Sequence, residues 1–382
     1  MIWWLALAMV AAGCGQAEPV VKIGFVAPLT GDQAAHGADM LHGVELAIAD
    51  AAAEGPVLPG YRLELVPLDD QRNPAQAVAM AKKLAADPAV LAVVGHLNSS
   101  CTKPASAIYH KARLLHTNPV SSNPDISRQG FDTFFRVCAT DDLQGPAGAR
   151  FAWQTLGARR VFIVDDLTTY GRGLANEFET AAQGLGFSVL GHEGITQGEK
   201  DFTPLLTKIK ALGPDLIYFA GMFPEAAVLI RQRRDLQLSA KFLAGDGVYE
   251  PTLITLATPE AAEGVYVTAL GADIHTVPTA NTFVEQFERR YGRLGAYSAY
   301  AYEATRLAVR AVRTAAAASG SRTTRLGVDR GAVLAAMRAT KEYPGILGIH
   351  HFDAKGDTTL RTIGIFTVQR GQFRFVEAVD SL

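Results

Sequence analysis

Three cysteines, Cys14, Cys101 and Cys138, are all that 382 residues hold, too few for a disulfide framework and without the spacing of a zinc site. Charge is as uninformative to a polyanion. The 36 Lys and Arg against 38 Asp and Glu leave a formal charge of −2, and no basic run is present that would track a phosphate backbone, so nucleic acid is not an expected partner. Past residue 13 there is no long uncharged apolar stretch, so the body of the chain holds no expected membrane span. Enzyme signatures are missing too. The chain has no Gly-x-Ser-x-Gly elbow, no Gly-x-x-x-x-Gly-Lys-Ser/Thr loop and no His-Glu-x-x-His pair. Gly171-Arg172-Gly173 opens a helix but lacks the third glycine and the later acidic residue of a dinucleotide site. Asp69-Asp70 and Asp165-Asp166 stand at strand ends, where carboxylates ordinarily bond loop backbone. His350 and His351, being adjacent on a strand, point to opposite faces. The sequence therefore predicts no metal, no cofactor and no catalysis.

What is present begins at the N-terminus. Met1 to Gly13 is an unbroken apolar run ending at Cys14; 13 residues are too short to cross a ~30 Å hydrocarbon core as a helix and suit the apolar region of an export signal. Val10-Ala-Ala-Gly-Cys14 resembles a bacterial lipobox, which implies cleavage before Cys14 and a lipid on its thiol, although no Lys or Arg precedes the run. Residues 1–19 are thus read as lipoprotein signal and tether, and the protein as a lipoprotein of the periplasm or cell surface. Cys101 and Cys138 then lie in an oxidising compartment, where they pair only if their Cα atoms come within ~7 Å.

From residue 20 a short apolar run, a turn and a helical period repeat many times. Strands are expected over 21–27, 61–68, 89–94 and 114–117, with helices over 38–53, 74–86 and 104–112 between them. A second series follows, with strands over 160–164, 187–190, 215–219 and 241–244 and helices over 173–183, 202–211 and 224–235. Such alternation predicts an α/β chain of two doubly wound parallel-sheet lobes. After residues 264–268 the pattern is mostly helical, over 283–291, 300–318 and 331–340, with the likeliest surface loop over 315–325. Two runs around Arg370-Gly371 predict a terminal hairpin.

Three short segments put polar groups just past such strands: Gly95 to Ser100, Asn118 to Pro124, and Gly245-Asp246-Gly247. With a helix starting near Pro104, Ser99, Ser100 and Thr102 surround its N-terminus, where free N–H groups and the helix dipole favour an anion. Asp246 supplies an acceptor for a cation. A serine before a helix is ordinarily a cap, and one segment alone says no more than that. Together they describe a receptor for a zwitterion, and a carboxylate beside an ammonium marks an α-amino acid. The rule that ligands sit beyond the carboxyl ends of strands collects Ser99, Ser122, Tyr170, Met222 and Asp246 into one candidate set.

At these residues, and at Lys103 to Tyr109, Gln144-Gly-Pro146, Tyr170 to Ala175, Gly194 to Phe202 and Phe352 to Asp357, the chain resembles the branched-chain amino-acid-binding proteins of bacterial ABC transporters. The resemblance implies the type I periplasmic-binding fold, with three crossings between the lobes and a ligand cleft that closes by a hinge. It divides the chain into an N-terminal lobe of 20–138 plus 268–346 and a C-terminal lobe of 139–267 plus 347–382. It also implies that Ser99 and Ser122 hold the ligand carboxylate, that the Val120 carbonyl and Asp246 receive the ammonium, and that Tyr170 lies across the cleft. Side-chain contacts fall to Leu97, Met222, Tyr297 and His36. The chain departs from the family at Asp246, where the usual acid is glutamate, at Met222 and His36, which replace aromatic rings, and at Arg72 and Asn98, which replace a disulfide. An aliphatic amino acid is the expected ligand, a monomer the expected state, and permease subunits of an ABC importer the expected partners. The same fold binding an amide, urea or a carboxylic acid without an amine, or acting as a sensor, is the alternative. An exported hydrolase is a third, for which no triad is present.

Overall fold

The computed structural model describes residues 19–318 and 328–380. The signal and Cys14 lie outside the described residues, as does the later part of the loop expected over 315–325. Nine alternating segments come first: β1 (Val20–Ala27), α1 (Ala34–Ala53), β2 (Arg62–Asp69), α2 (Pro74–Ala86), β3 (Val90–Gly95), α3 (Ser99–Lys111), β4 (Leu115–Asn118), α4 (Asp125–Arg128) and β5 (Phe134–Arg136). They build a five-stranded sheet of order β2-β1-β3-β4-β5, parallel throughout. Its central strand β3 is a continuous apolar run buried at every position, as helices on both faces require, whereas the edge strand β2 alternates charged and apolar residues at its start.

The chain then crosses to a second unit: α5 (Asp141–Gln154), β6 (Arg160–Asp165), α6 (Thr169–Leu185), β7 (Ser188–Gly194), α7 (Thr203–Leu212), β8 (Leu216–Ala220), α8 (Phe223–Asp235), β9 (Lys241–Ala244), α9 (Pro251–Ala257), α10 (Pro259–Ala262) and β10 (Tyr266–Ala269). It crosses back for α11 (Asn281–Tyr291), α12 (Ser298–Ala318) and α13 (Arg330–Arg338), passes the two-residue strands β11 (Tyr343–Pro344) and β12 (Ile349–His350), and returns for β13 (Thr362–Gln369) and β14 (Gln372–Asp380). The second sheet has the order β14-β13-β10-β9-β8-β6-β7. It is mixed rather than parallel throughout, since β13 and β14 run antiparallel. Arg370 and Gly371 turn that hairpin with φ of 52° and 71°, the paired positive φ of a two-residue loop whose twist matches its strands. Because β10 stays in this sheet through Ala269, the second crossing begins beyond the limit expected at 267/268.

Three expected boundaries move for one reason. Helix α3 starts at Ser99 instead of near Pro104, which sits inside its second turn. Helix α5, which also contains a proline, Pro146, lies where no helix was expected. Helix α1 begins at Ala34, ahead of 38, and carries Gly37. Glycine and proline read as punctuation, but a Cβ on Gly37 would stand 1.9 Å from Pro28 O, and one on Gly145 would stand 2.7 Å from Phe178 N. Those glycines admit neighbouring backbone instead of ending a helix. Helix α12 runs to Ala318, so residues 315–318 are helical where a loop was expected. Cys101 and Cys138 are both free and buried, and burial pushes both thiols far up.

The two sheets share an arrangement that places the site. In β2-β1-β3-β4-β5 the order reverses between β1 and β3, and in β7-β6-β8-β9-β10 it reverses between β6 and β8. Connections leave to opposite faces at such a point and open a crevice past the strand ends. Arg136, fully buried, ties the first crossing to the last: its backbone N–H donates to Gly356 O at 2.8 Å and its guanidinium meets Asp357 Oδ1 at 2.7 Å. Among the described residues no helix is long and apolar enough to cross a membrane.

Candidate functional site

Facing strand ends of the two sheets enclose a narrow cleft. Leu97, Asn98, Ser99, Ser100 and Val120 line it from the first sheet, Asp166, Thr168, Tyr170, Gln197, Met222 and Asp246 from the second, with Tyr297 between them.

The first wall is made of neutral donors. Ser99 and Ser100 are the opening residues of α3, so their N–H groups have no carbonyl of their own helix to meet. The dipole of a helix of 13 residues adds a partial positive charge there. Ser99 is 1% exposed, and its Oγ accepts from Asn123 N at 3.4 Å. Opposite stands the 119–123 loop, held rigid from behind. Arg136 Nη1 donates to Ser121 O and Asn123 O, both at 2.8 Å, and Ser121 Oγ donates to Leu97 O at 2.9 Å. This fixes Val120 at the edge of the cleft.

The second wall carries charge. Asp246, 3% exposed, forms a 3₁₀ turn after β9. Its Oδ1 accepts from Tyr170 Oη at 2.8 Å and Gln144 Nε2 at 3.0 Å, and its Oδ2 from Tyr297 Oη at 2.8 Å. Burial pushes the Asp246 carboxyl up, and these donors oppose the shift. Burial and the Asp246 charge raise both tyrosines well above their ordinary value, so their hydroxyls stay protonated and donate. Asp166 is a second carboxylate on this wall. It accepts from Thr168 Oγ1 at 2.6 Å, Thr168 N at 3.1 Å and Gln197 Nε2 at 3.3 Å, and burial pushes it up to about 6. Gly171 lets α6 close on it, since a Cβ there would lie 2.1 Å from Asp166 Oδ1.

Seven of the nine expected binding residues line the cleft: Leu97, Ser99, Val120, Tyr170, Met222, Asp246 and Tyr297. Two do not. Ser122 is fully buried behind the loop, its carbonyl accepting from Asp141 N at 3.0 Å; one residue's shift along an extended loop turns a side chain to the other face. His36 forms the layer outside Tyr297 and Phe223, with ring centroids 4.6 and 5.0 Å away, and sits 3.3 Å from both Gly247 O and Glu250 Oε2. Asp246 is not the only acid opposite the serines. Asp166 shares its wall, and Asp141 lies buried beneath with its carboxyl pushed well up by burial. Asn98, Ser100, Asp166, Thr168 and Gln197 were missed as contacts. Asp166 and Thr168 follow β6, so the strand-end rule reaches them; Gln197 comes from the loop after an edge strand and carries no local signal. Asp69, as expected of strand-end carboxylates, binds loop backbone at Leu29 and Gln71. His96 is satisfied by Asp70 at 2.7 Å and Tyr109 at 3.1 Å.

The arrangement sets neutral donors at a helix N-terminus against a buried carboxylate across one cleft. Comparison with known proteins agrees with that chemistry. The family model described as periplasmic binding protein matches residues 20–372. A Leu/Ile/Val-binding protein homologue of Brucella abortus is 36% identical over 365 residues, 96% of this chain and 94% of that one. A leucine-binding protein from Thermotoga maritima superposes with a TM-score of 0.85 at 31% identity, over 94% of this chain and 99% of that one. A branched-chain amino acid transporter substrate-binding protein from Streptococcus pneumoniae, solved with isoleucine, gives 0.84 at 25% identity over 94% and 99%. With two doubly wound lobes facing across one polar cleft, the chain belongs to the periplasmic binding protein family.

Proposed function

We propose that this protein is the extracytoplasmic substrate-binding component of an ABC importer, and that it binds an aliphatic α-amino acid between its lobes and hands it to the permease without altering it. The observation that carries this reading is the opposition of Ser99, Ser100 and the α3 N-terminus to Asp246 across one small cleft. The ligand carboxylate takes the neutral donors, and the ammonium lies between the Val120 carbonyl and Asp246. Leu97, Met222 and the rings of Tyr170 and Tyr297 supply apolar walls for the side chain. The names of the relatives, leucine, isoleucine and valine among them, support the same ligand class. Ser122, one layer back, supports the loop that carries Val120.

The lobes act as two rigid bodies, 20–138 plus 270–346 and 139–269 plus 347–382, and the ligand favours the form in which they meet. A lipid on Cys14 holds the protein, as a monomer, at the membrane beside its permease; mass spectrometry of the membrane fraction reads that modification directly. The central experiment is a thermal-shift panel of the common amino acids on protein freed of co-purified ligand. A ligand at a hundred times its Kd stabilises the fold by about 2.7 kcal/mol, so leucine, isoleucine and valine should raise the melting temperature. A shift with amides or simple carboxylic acids and none with amino acids rejects the reading.

A further inference from the structure

The Gly171-Arg172-Gly173 run lacks the further glycine and acid of a dinucleotide site, so its two glycines need another explanation. Gly171 is explained by its approach to Asp166; Gly173 is not. It lies inside α6 with ordinary helical φ, where glycine is a poor choice beside alanine, so something other than its own backbone asks for it. A Cβ on Gly173 would stand 2.3 Å from Asn123 Nδ2. Asn123 belongs to the opposite lobe, and that Nδ2 donates to Thr169 O, in the first turn of α6, at 2.8 Å.

The amide cannot swing aside cheaply. Its Oδ1 accepts from Asp125 N at 3.0 Å, its own carbonyl is held by the buried Arg136 at 2.8 Å, and its N–H donates to Ser99 Oγ at 3.4 Å. One residue therefore touches the carboxylate-binding serine with its backbone and the far lobe with its side chain. The acceptor, Thr169, directly precedes Tyr170, which holds Asp246. We infer that Asn123 and Gly173 form an interlobe latch, in which the Asn123 amide bonds the start of α6 only when the lobes meet and Gly173 leaves the room it needs. Neither residue lines the cleft; both are positioning residues for closure. The latch rests on the amino-acid reading above, because closure on the ligand is what it stabilises, and a contact made only in the closed form slows release.

The test uses L-leucine as probe with Gly173→Ala, Asn123→Ala and the double variant, measuring affinity by calorimetry and release by stopped flow. Gly173→Ala should weaken leucine binding tenfold or more, chiefly through faster release, while the ligand-free protein melts at the same or a higher temperature because alanine suits the helix. Asn123→Ala should weaken it a few-fold. In the Asn123→Ala background, adding Gly173→Ala should change affinity by less than twofold. The latch is overturned if Gly173→Ala leaves affinity intact, or if it costs the same factor in both backgrounds, which would place its effect in α6 alone. If the parent protein binds no leucine, isoleucine or valine, the amino-acid reading fails. The latch is then decided by small-angle scattering of the ligand-free proteins: a larger radius of gyration for Gly173→Ala than for the parent supports it, and equal radii overturn it.

Discussion

The two walls of the cleft meet the same ligand with opposite chemistry. On the first, Asn98, Ser99, Ser100 and Val120 offer amides, hydroxyls and a carbonyl, with no charged side chain among the lining residues. On the second, Asp166 and Asp246 are both nearly inaccessible to solvent, and burial pushes both carboxyls up. Neutral donors at a helix end cost little to bury once they are paired; a carboxylate is expensive until a cation arrives. The difference assigns separate tasks. On the proposed function the first wall takes the ligand's carboxylate and the second its ammonium, so a ligand without an amine gains nothing from the second.

The largest test of this asymmetry is Asp246→Ala. Losing one partner of a buried charge pair typically costs on the order of 3 to 5 kcal/mol, so calorimetric titration should show amino-acid affinity falling more than a hundredfold. The exposed Glu285 on α11 serves as control, and Glu285→Ala should bind like the parent. Asp329, at first sight a surface residue, is unsuitable because it caps α13 through Ala332 N at 2.8 Å. If Asp246→Ala binds within threefold of the parent, the charged wall is not what holds the ammonium.

Asp166→Asn probes what the charge costs the protein itself. The folded value of about 6 lies above the ordinary 3.8, so the fold favours the protonated acid. The stability that Asp166 lends is whole below about pH 4, is lost as pH rises to 6, and leaves a constant penalty of about 3 kcal/mol above that. Denaturant unfolding should find Asp166→Asn more stable than the parent by up to that amount at pH 8 and equal to it at pH 3.5. Equal stability at both pH values would mean that Thr168 and Gln197 compensate the charge fully.

The neutral wall should be more forgiving. Ser99→Ala removes one hydrogen bond to a charged group, worth about 1.5 to 3 kcal/mol, a ten- to hundredfold loss. It should weaken leucine and an amine-free carboxylic acid of the same shape by the same factor. Asp246→Ala should spare the acid, and a variant that discriminates the other way would reverse the two walls.

Much of this was legible beforehand, and the misses have physical causes. The strand ends bearing Ser99, Tyr170, Met222 and Asp246 were found because a strand of period 2 and a helix of period 3.6 announce their junctions locally. Helix α5 was missed because Gly145 and Pro146 disguise it, and Gly145 is needed only because α6 packs so close. Ser122 was expected from the resemblance alone, and where its side chain sits is set by tertiary contacts, Arg136 with Ser121 O and Asn123 O among them.

The sequence alone determined the α/β alternation, the terminal hairpin, the doubly wound lobes and the polar residues at the strand ends, since each follows from local periodicity or from residue chemistry at a strand end. Only the tertiary structure decided which of those groups share a wall. Gln144 reaches Asp246 across 102 positions of sequence, and Asn123 reaches Thr169 across 46. A contact between distant positions is set by how sheets and helices stack, and single residues such as Asp166 and Gly173 acquire their roles only there.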